Sequence, residues 1–249
     1  MRRNFSSSRL VRLLGDTASG ELEAPGQDFA ERLSQWVGVF DAVKLHAAHQ
    51  SMPALAEEKM SPALAARALA VEAQFHQVRG VLVKAITANE ADAAIGKRAR
   101  NPRSEADVAL EPVPETEADF APYRQRYLDQ QRNMELMIGP LRAHVRETLS
   151  DSSPGLRQLA SLDAVWEQML EAREQRLLLT LPVLLKGRFE RLRKAHQSQQ
   201  EPALWRQPGG WLDGFGKELQ EILLAELDVR LEPVKGLMEA FSNKVKKYQ

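Results

Sequence analysis

Two histidines are the residues of this chain whose spacing is closest to that of metal ligands. His46 and His49 are three positions apart, so a helix would place both imidazoles on one side. A zinc site needs a third and usually a fourth ligand. The other histidines lie on distant segments without a matching carboxylate motif. We therefore interpret the pair as solvated helix histidines and predict no metal site.

Two acidic residues near the C-terminus could suggest acid–base chemistry. Glu226 and Asp228 are two positions apart, so on a helix they point to different sides and do not form a general acid–base pair. Glu226 and Arg230 are four positions apart, and such a pair stabilises a helix by about 0.2–0.5 kcal/mol. We interpret this pair as a surface salt bridge, and an acid that faces a partner is the open alternative.

The most basic stretch of any predicted helix runs from Lys186 to Lys194. Within it, Arg188, Arg191 and Lys194 recur every three positions and share one face, which could bind phosphates. No nucleic-acid recognition motif accompanies them. A solvated face, or one paired with the acidic residues between positions 105 and 117, is the favoured interpretation, and nucleic-acid binding through these three residues is the alternative.

The composition excludes several classes of function. The chain has 249 residues and no cysteine, which excludes disulfides, thiolate metal sites and cysteine nucleophiles. Lysine plus arginine equals aspartate plus glutamate at 34 each, so no net charge attracts the chain to nucleic acid or anionic lipid. No catalytic or phosphate-binding motif is present. We predict a protein without cofactor or enzymatic activity; an enzyme whose site is assembled between helices is a further alternative.

One apolar rhythm predicts the elements that carry these residues. From Leu212 to Val245, apolar residues recur every three or four positions, which is the period of an α-helix. The fold class that follows is all-α: an elongated bundle of about five long, proline-kinked helices plus a short N-terminal helix. The other predicted helices cover residues 10–14, 28–47, 62–94, 116–149 and 156–196.

The chain changes character between two helical parts. Residues 96–116 combine a basic block, an acidic block and three prolines, Pro102, Pro112 and Pro114, without apolar periodicity. Such a composition is typical of an extended linker. We therefore predict an N-terminal helical unit over residues 1–95 and a C-terminal helical unit over residues 117–249. The predicted core residues are Trp36, Phe40, Phe75, Leu82, Trp166, Leu181, Leu219, Leu227 and Leu231.

The N-terminus carries a dense apolar block. A face this apolar on so short a helix must dock on the rest of the chain or on another protein, which makes the block a candidate partner-binding site. Arginines interrupt any signal-peptide core, and the longest apolar stretch, residues 177–185, is half the length of a membrane span. We expect a cytoplasmic protein without direct membrane insertion. The block consists of Phe5, Leu10, Val11, Leu13 and Leu14.

Three segments carry a resemblance to a known family. They are FSSSRLVRLL at residues 5–14, FAERLSQW at residues 29–36 and LLAELDVRLEPVKGL at residues 223–237. Together they resemble an uncharacterised proteobacterial family, a domain of unknown function that spans nearly the whole chain. Its members tend to be encoded near MotA/TolQ/ExbB-type inner-membrane proteins and OmpA/MotB-like proteins.

The resemblance implies a role but no site. It transfers no catalytic or binding residue to this chain. It implies a non-enzymatic scaffold or adaptor, a cytoplasmic accessory of an ion-driven inner-membrane complex. The expected partners are the cytoplasmic portion of such a complex and further copies of the same chain, rather than nucleic acid.

Overall fold

The described part of the chain is built from helices and turns. The computed structural model describes residues 9–17, 37–50, 62–88, 119–196 and 204–247, and these ranges contain no strand. The all-α prediction is therefore confirmed, with a short N-terminal helix and several long ones. The helices are α1 (Arg9–Thr17), α2 (Val39–Gln50), α3 (Pro62–Thr87), α4 (Ala121–Ser150), α5 (Pro154–Leu178), α6 (Leu181–His196) and α7 (Trp211–Lys247).

Helix α7 is the centre of the bundle. Every residue of its apolar rhythm from Leu212 to Val245 is buried, except Met238, which is partly buried. The stripe is covered because α3 and α4 pack along α7, and α1, α5 and α6 also contact it. Removal of this apolar surface from water is the main stabilising contribution to the fold.

The prolines act differently from one helix to the next. Pro140 lies inside α4, which continues through it. Pro140 and Leu136, whose carbonyl loses its helical hydrogen bond, are both exposed, so water can satisfy that carbonyl. Pro182 lies in the first turn of α6, where a proline is tolerated. The helix predicted over residues 156–196 is therefore divided into α5 and α6 by a turn at residues 179–180.

Most of the predicted core residues are buried. The exception is Phe40, which is 84% exposed, so its assignment to the core is wrong. Helix α2 packs on α5 through its other side, where Asp41, Leu45 and Ala48 are half-buried. Trp166 is half-buried, and Trp36 lies outside the described residues. The buried ones are Phe75, Leu82, Leu181, Leu219, Leu227 and Leu231.

The predicted N-terminal unit contacts the predicted C-terminal unit. Helix α3 packs against both α4 and α7, and its residues Val71, Phe75, Leu82 and Ile86 belong to the same apolar core as those helices. Residues 96–116 lie outside the described ranges. The division into two units at that segment stays a prediction.

A tight turn leads the chain into α7. The carbonyl oxygen of Trp205 accepts hydrogen bonds from the backbone N–H groups of Leu212, at 3.0 Å, and of Asp213, at 3.4 Å. These bonds satisfy donors of the first turn of α7 that have no partner within the helix. The Trp211 ring lies 5.3 Å from the ring of Phe189, between centroids, which joins this turn to α6.

Candidate functional site

A cluster of polar side chains is buried between α4 and α7. Tyr127 and Gln131 are four residues apart on α4, and Glu226 and Arg230 are four residues apart on α7, so each pair lies on one face of its helix. The Glu226 side chain is 0% exposed and is the acceptor at the centre of the cluster.

Both oxygens of the Glu226 carboxylate accept hydrogen bonds. Oε1 accepts from Gln131 Nε2 at 3.0 Å and from Arg230 Nε at 2.9 Å. Oε2 accepts from the Tyr127 hydroxyl and, at 3.3 Å, from Gln131 Nε2. The predicted pair of Glu226 and Arg230 is present, but its interpretation as a surface salt bridge is wrong. Because α7 is apolar on more than one side, α4 packs against the side that carries Glu226. Tyr127 and Gln131 of α4 then enclose the carboxylate.

The environment keeps the Tyr127 phenol protonated. Burial and the adjacent Glu226 carboxylate both raise the pKa of Tyr127 far above its usual value, because each disfavours a phenolate. The phenol is therefore a permanent hydrogen-bond donor to Glu226. Since Glu226 has no exposed surface, a substrate cannot reach this carboxylate unless α4 and α7 separate. This buried cluster favours one register of α4 along α7, and it does not expose a reactive group.

A second polar cluster joins α4 to α5. Arg142 binds Asp163 with two hydrogen bonds, Nε to Oδ2 at 2.8 Å and Nη2 to Oδ1 at 2.6 Å. Arg146 Nη1 contacts the same carboxylate at 3.1 Å and also pairs with Glu167. Burial lowers the pKa of Arg142, but the hydrogen bonds and charge of Asp163 raise it overall. These two cations are neutralised within the fold.

The candidate basic face on α6 is partly neutralised as well. Arg188 Nε lies 3.2 Å from both carboxylate oxygens of Glu218 on α7. Arg191 and Lys194 are exposed. One cation of the predicted face therefore fastens α6 to α7, while the other two face solvent.

The histidine pair lies on α2 and is exposed. The His49 carbonyl oxygen accepts a hydrogen bond from Gln158 Nε2 of α5 at 2.6 Å, and the His46 side chain faces solvent. Within the described ranges, no group of three or more histidine, aspartate or glutamate side chains is arranged to hold a metal ion. An open groove between α3 and α4 is lined by residues of both charge signs, including Arg67, His144 and Glu147.

The N-terminal apolar block contacts this chain's own body. Helix α1 packs on α7 and α6. Leu10 is buried, Leu13 and Leu14 are partly buried against the core, and Val11 is half-exposed. Phe5 lies outside the described residues. Docking on the body was one of the two expectations for this block, and its use by a partner stays a prediction.

Two groups of large apolar side chains are exposed. The first is the outer face of α2, where Val39, Phe40 and Val43 are 80%, 84% and 63% exposed. The second is the corner between α5 and α6, which carries Leu177 and Val183 among others. Exposed apolar residues that cluster rather than scatter are typical of interaction surfaces.

The structure thus defines an all-α bundle with closed polar clusters inside and apolar groups on its surface. The chain belongs to the family described as "Protein of unknown function (DUF3348)", whose sequence model matches residues 1–243. This match confirms the resemblance to a domain of unknown function that spans nearly the whole chain. No curated protein and no solved structure matches it. Among the described helices, none has the combination of length and apolar character that crossing a bilayer requires.

Proposed function

We propose that this protein is a non-enzymatic helical adaptor that binds other proteins through its helical surfaces. The observation that carries the proposal is the outer face of α2, defined by Val39, Phe40 and Val43. All three side chains are more than half exposed, although burial of such residues is normally favourable. A protein partner that covers this face would remove them from water.

The geometry of α2 suits docking of another protein. Its inner side packs on α5, where Lys44 Nζ lies 3.5 Å from Gln168 Oε1 and Gln158 binds the His49 carbonyl. This support holds α2 on the body while its apolar side faces outward. An exposed helix face with an aromatic anchor is a common element of protein interfaces, where aromatic residues supply much of the binding energy.

The partner we propose follows from the resemblance. The resemblance implies an accessory of an ion-driven inner-membrane complex, so the proposed partner is the cytoplasmic portion of a MotA/TolQ/ExbB-type complex. The protein itself would then be cytoplasmic. The N-terminal block around Val11 is the second proposed contact, and self-association through either surface belongs to the same proposal.

Affinity purification from the native host tests this proposal. The full chain is compared with the triple variant Val39→Ser, Phe40→Ser, Val43→Ser and with a deletion of residues 1–15. We expect the full chain to recover inner-membrane proteins and the triple variant to lose them. Because the replaced side chains are exposed, the variant should keep the circular dichroism spectrum and melting temperature of the parent. An identical partner list for the full chain and both variants would overturn the proposal.

Nucleic-acid binding through α6 is the alternative that the same preparation distinguishes. Recovery of nucleic acid alone would favour it, particularly if Arg191→Gln with Lys194→Gln abolished that recovery. Binding to phosphates weakens steeply with salt because counterions are released. Docking of an apolar helix face should hardly respond to salt. A salt titration of the recovered complex therefore separates the two functions.

A further inference from the structure

The corner between α5 and α6 carries a run of exposed apolar and basic residues. Arg176, Leu179, Val183 and Lys186 follow one another at spacings of three, four and three residues, and all four are exposed. Leu177 is exposed beside them. We name these five residues the α5–α6 tip.

Backbone hydrogen bonds order the turn that carries these residues. Leu179 has helical dihedral angles, φ −64° and ψ −18°, and its N–H group donates to the Gln175 carbonyl. The N–H groups of Val183 and Leu184 both donate to the Thr180 carbonyl. Backbone hydrogen bonds therefore order the chain on both sides of the turn at residues 179–180, and along the chain the apolar pair Leu179 and Val183 lies between the two cations.

The apolar side chains of the tip are all more than half exposed. Leu177, Leu179 and Val183 are 59%, 65% and 69% exposed. The neighbouring Leu181, Leu185 and Phe189 are buried and fix α6 against the core. The exposed aliphatic side chains thus lie on or next to a helix, α6, that is fixed against the core.

Both charged residues of the tip are cations. No acidic residue occurs between Glu174 and Glu190. Among the described residues, neither Arg176 nor Lys186 has an ion-pair partner, while Arg188 on the same helix is paired with Glu218. The tip therefore combines an aliphatic centre with two available cations at its ends.

We propose that the α5–α6 tip docks on the anionic surface of a lipid bilayer. Aliphatic side chains enter the boundary between head groups and acyl chains, while the cations on either side bind anionic head groups. The long stems of arginine and lysine allow their charged ends to stay among the head groups as the leucines go deeper. The contact is interfacial and spans nothing, so it differs from the membrane insertion that the sequence argued against.

Two observations favour lipid over a protein at this tip. Its apolar residues are leucine and valine only, which are under-represented among the residues that dominate protein–protein binding. A second copy docked symmetrically through the tip would bring the Arg176 and Lys186 side chains of both copies together, and like charges across an interface oppose binding. An anionic bilayer accepts leucine and valine in its apolar boundary and attracts the two cations.

Vesicle flotation with purified full chain tests the proposal. The vesicles contain phosphatidylcholine alone, or equal amounts of phosphatidylcholine and phosphatidylglycerol. We expect flotation with the anionic vesicles at low salt, and little flotation with the neutral vesicles or at high salt. Replacing Arg176 and Lys186 by glutamine should weaken binding about fivefold for each removed cation. The triple variant Leu177→Ser, Leu179→Ser, Val183→Ser should lose flotation.

The triple variant of the α2 face is the matched control, because it also removes three exposed apolar side chains. It should float like the parent chain, and the tip variant should still recover the protein partner. The two proposals therefore fail separately. No flotation of the parent, equal flotation with neutral vesicles, or equal loss in both triple variants would overturn lipid docking. A parent dimer that only the tip variant dissociates without lipid would assign the tip to a second copy instead.

Discussion

A single carboxylate favours one register between α4 and α7, the two longest of the described helices. Removing Glu226 from water is costly, because a buried charge loses its hydration. The cost is offset by hydrogen bonds from Tyr127, Gln131 and Arg230, so that both oxygens have donors. A slip of α4 along α7 would leave the carboxylate unpaired, and the cluster therefore favours one register.

Replacing Glu226 by glutamine should destabilise the protein strongly. The change keeps the size of the side chain but leaves the mostly buried Arg230 guanidinium without its anion, and we expect a loss of about 3 kcal/mol in the free energy of unfolding. The matched control is Glu232→Gln on the same helix. That residue pairs with Lys235 at 2.8 Å but is 66% exposed, so its loss should stay below about 1 kcal/mol. Urea unfolding followed by circular dichroism measures both, and equal losses would contradict the prediction.

Tyr127 should make the stability sensitive to alkaline pH. The fold raises the pKa of its phenol above the unfolded value of 10.0. The stabilisation is therefore complete below pH 10 and is lost as the pH rises beyond that value, because only the unfolded chain ionises readily. Tyr127→Phe should remove this part of the pH dependence and cost about 1.5–3 kcal/mol at neutral pH, since it deletes a hydrogen bond to a charged group. The free energy of unfolding of both proteins is measured from pH 8 to pH 11. The difference between the parent and Tyr127→Phe should shrink as the pH rises.

At the scale of elements, the helices differ in how they are held. Helices α3, α4 and α7 contribute many buried side chains, whereas α5 buries only Leu156 and Ala160. The other apolar side chains of α5 are at most partly buried, and polar contacts such as the pairing of Arg142 with Asp163 also hold the helix. None of the residues of α2, which packs on α5, is buried. The surface proposed to bind a protein thus lies on the layer with the least apolar burial, where adjustment to a partner costs least.

The turn that starts α7 leaves no room for a side chain at Gly210. A Cβ atom at Gly210 would lie 2.3 Å from the carbonyl oxygens of Leu204 and Trp205, which are backbone atoms. Gly210→Ala should therefore destabilise the protein by about 1–3 kcal/mol, as other forced overpacking does. Gly214, four residues further along α7, has open space around its Cβ position. Gly214→Ala should stabilise by about 0.5–1 kcal/mol. The melting temperature should therefore fall for Gly210→Ala and rise for Gly214→Ala relative to the parent. A shift of both melting temperatures in the same direction would contradict this account.

For the whole molecule, the sequence predicted the helices better than it predicted which of their side chains are buried and by which residues. The rhythm from Leu212 to Val245 marks a buried helix because it repeats over the full length of α7. A similar stripe misassigned Phe40, since periodicity shows that a helix has an apolar side but not whether this chain covers it. Glu226 was placed on the surface because only its local partner is visible in the sequence. Tyr127, which encloses it, is 99 residues away.

The predicted division of the chain leads to a test of how the two units cohere. Trypsin is expected to cut between residues 97 and 103, within the predicted linker over residues 96–116. Because α3 packs against α4 and α7 with Phe75 in the shared core, the two fragments should stay associated and elute together in size-exclusion chromatography. Phe75→Ala, which should cost about 3–5 kcal/mol, is expected to let the cut fragments separate, while the uncut variant keeps its helical circular dichroism spectrum. Separate elution of the parent fragments would mean that the contact of α3 with α4 and α7 is too weak to hold the units together.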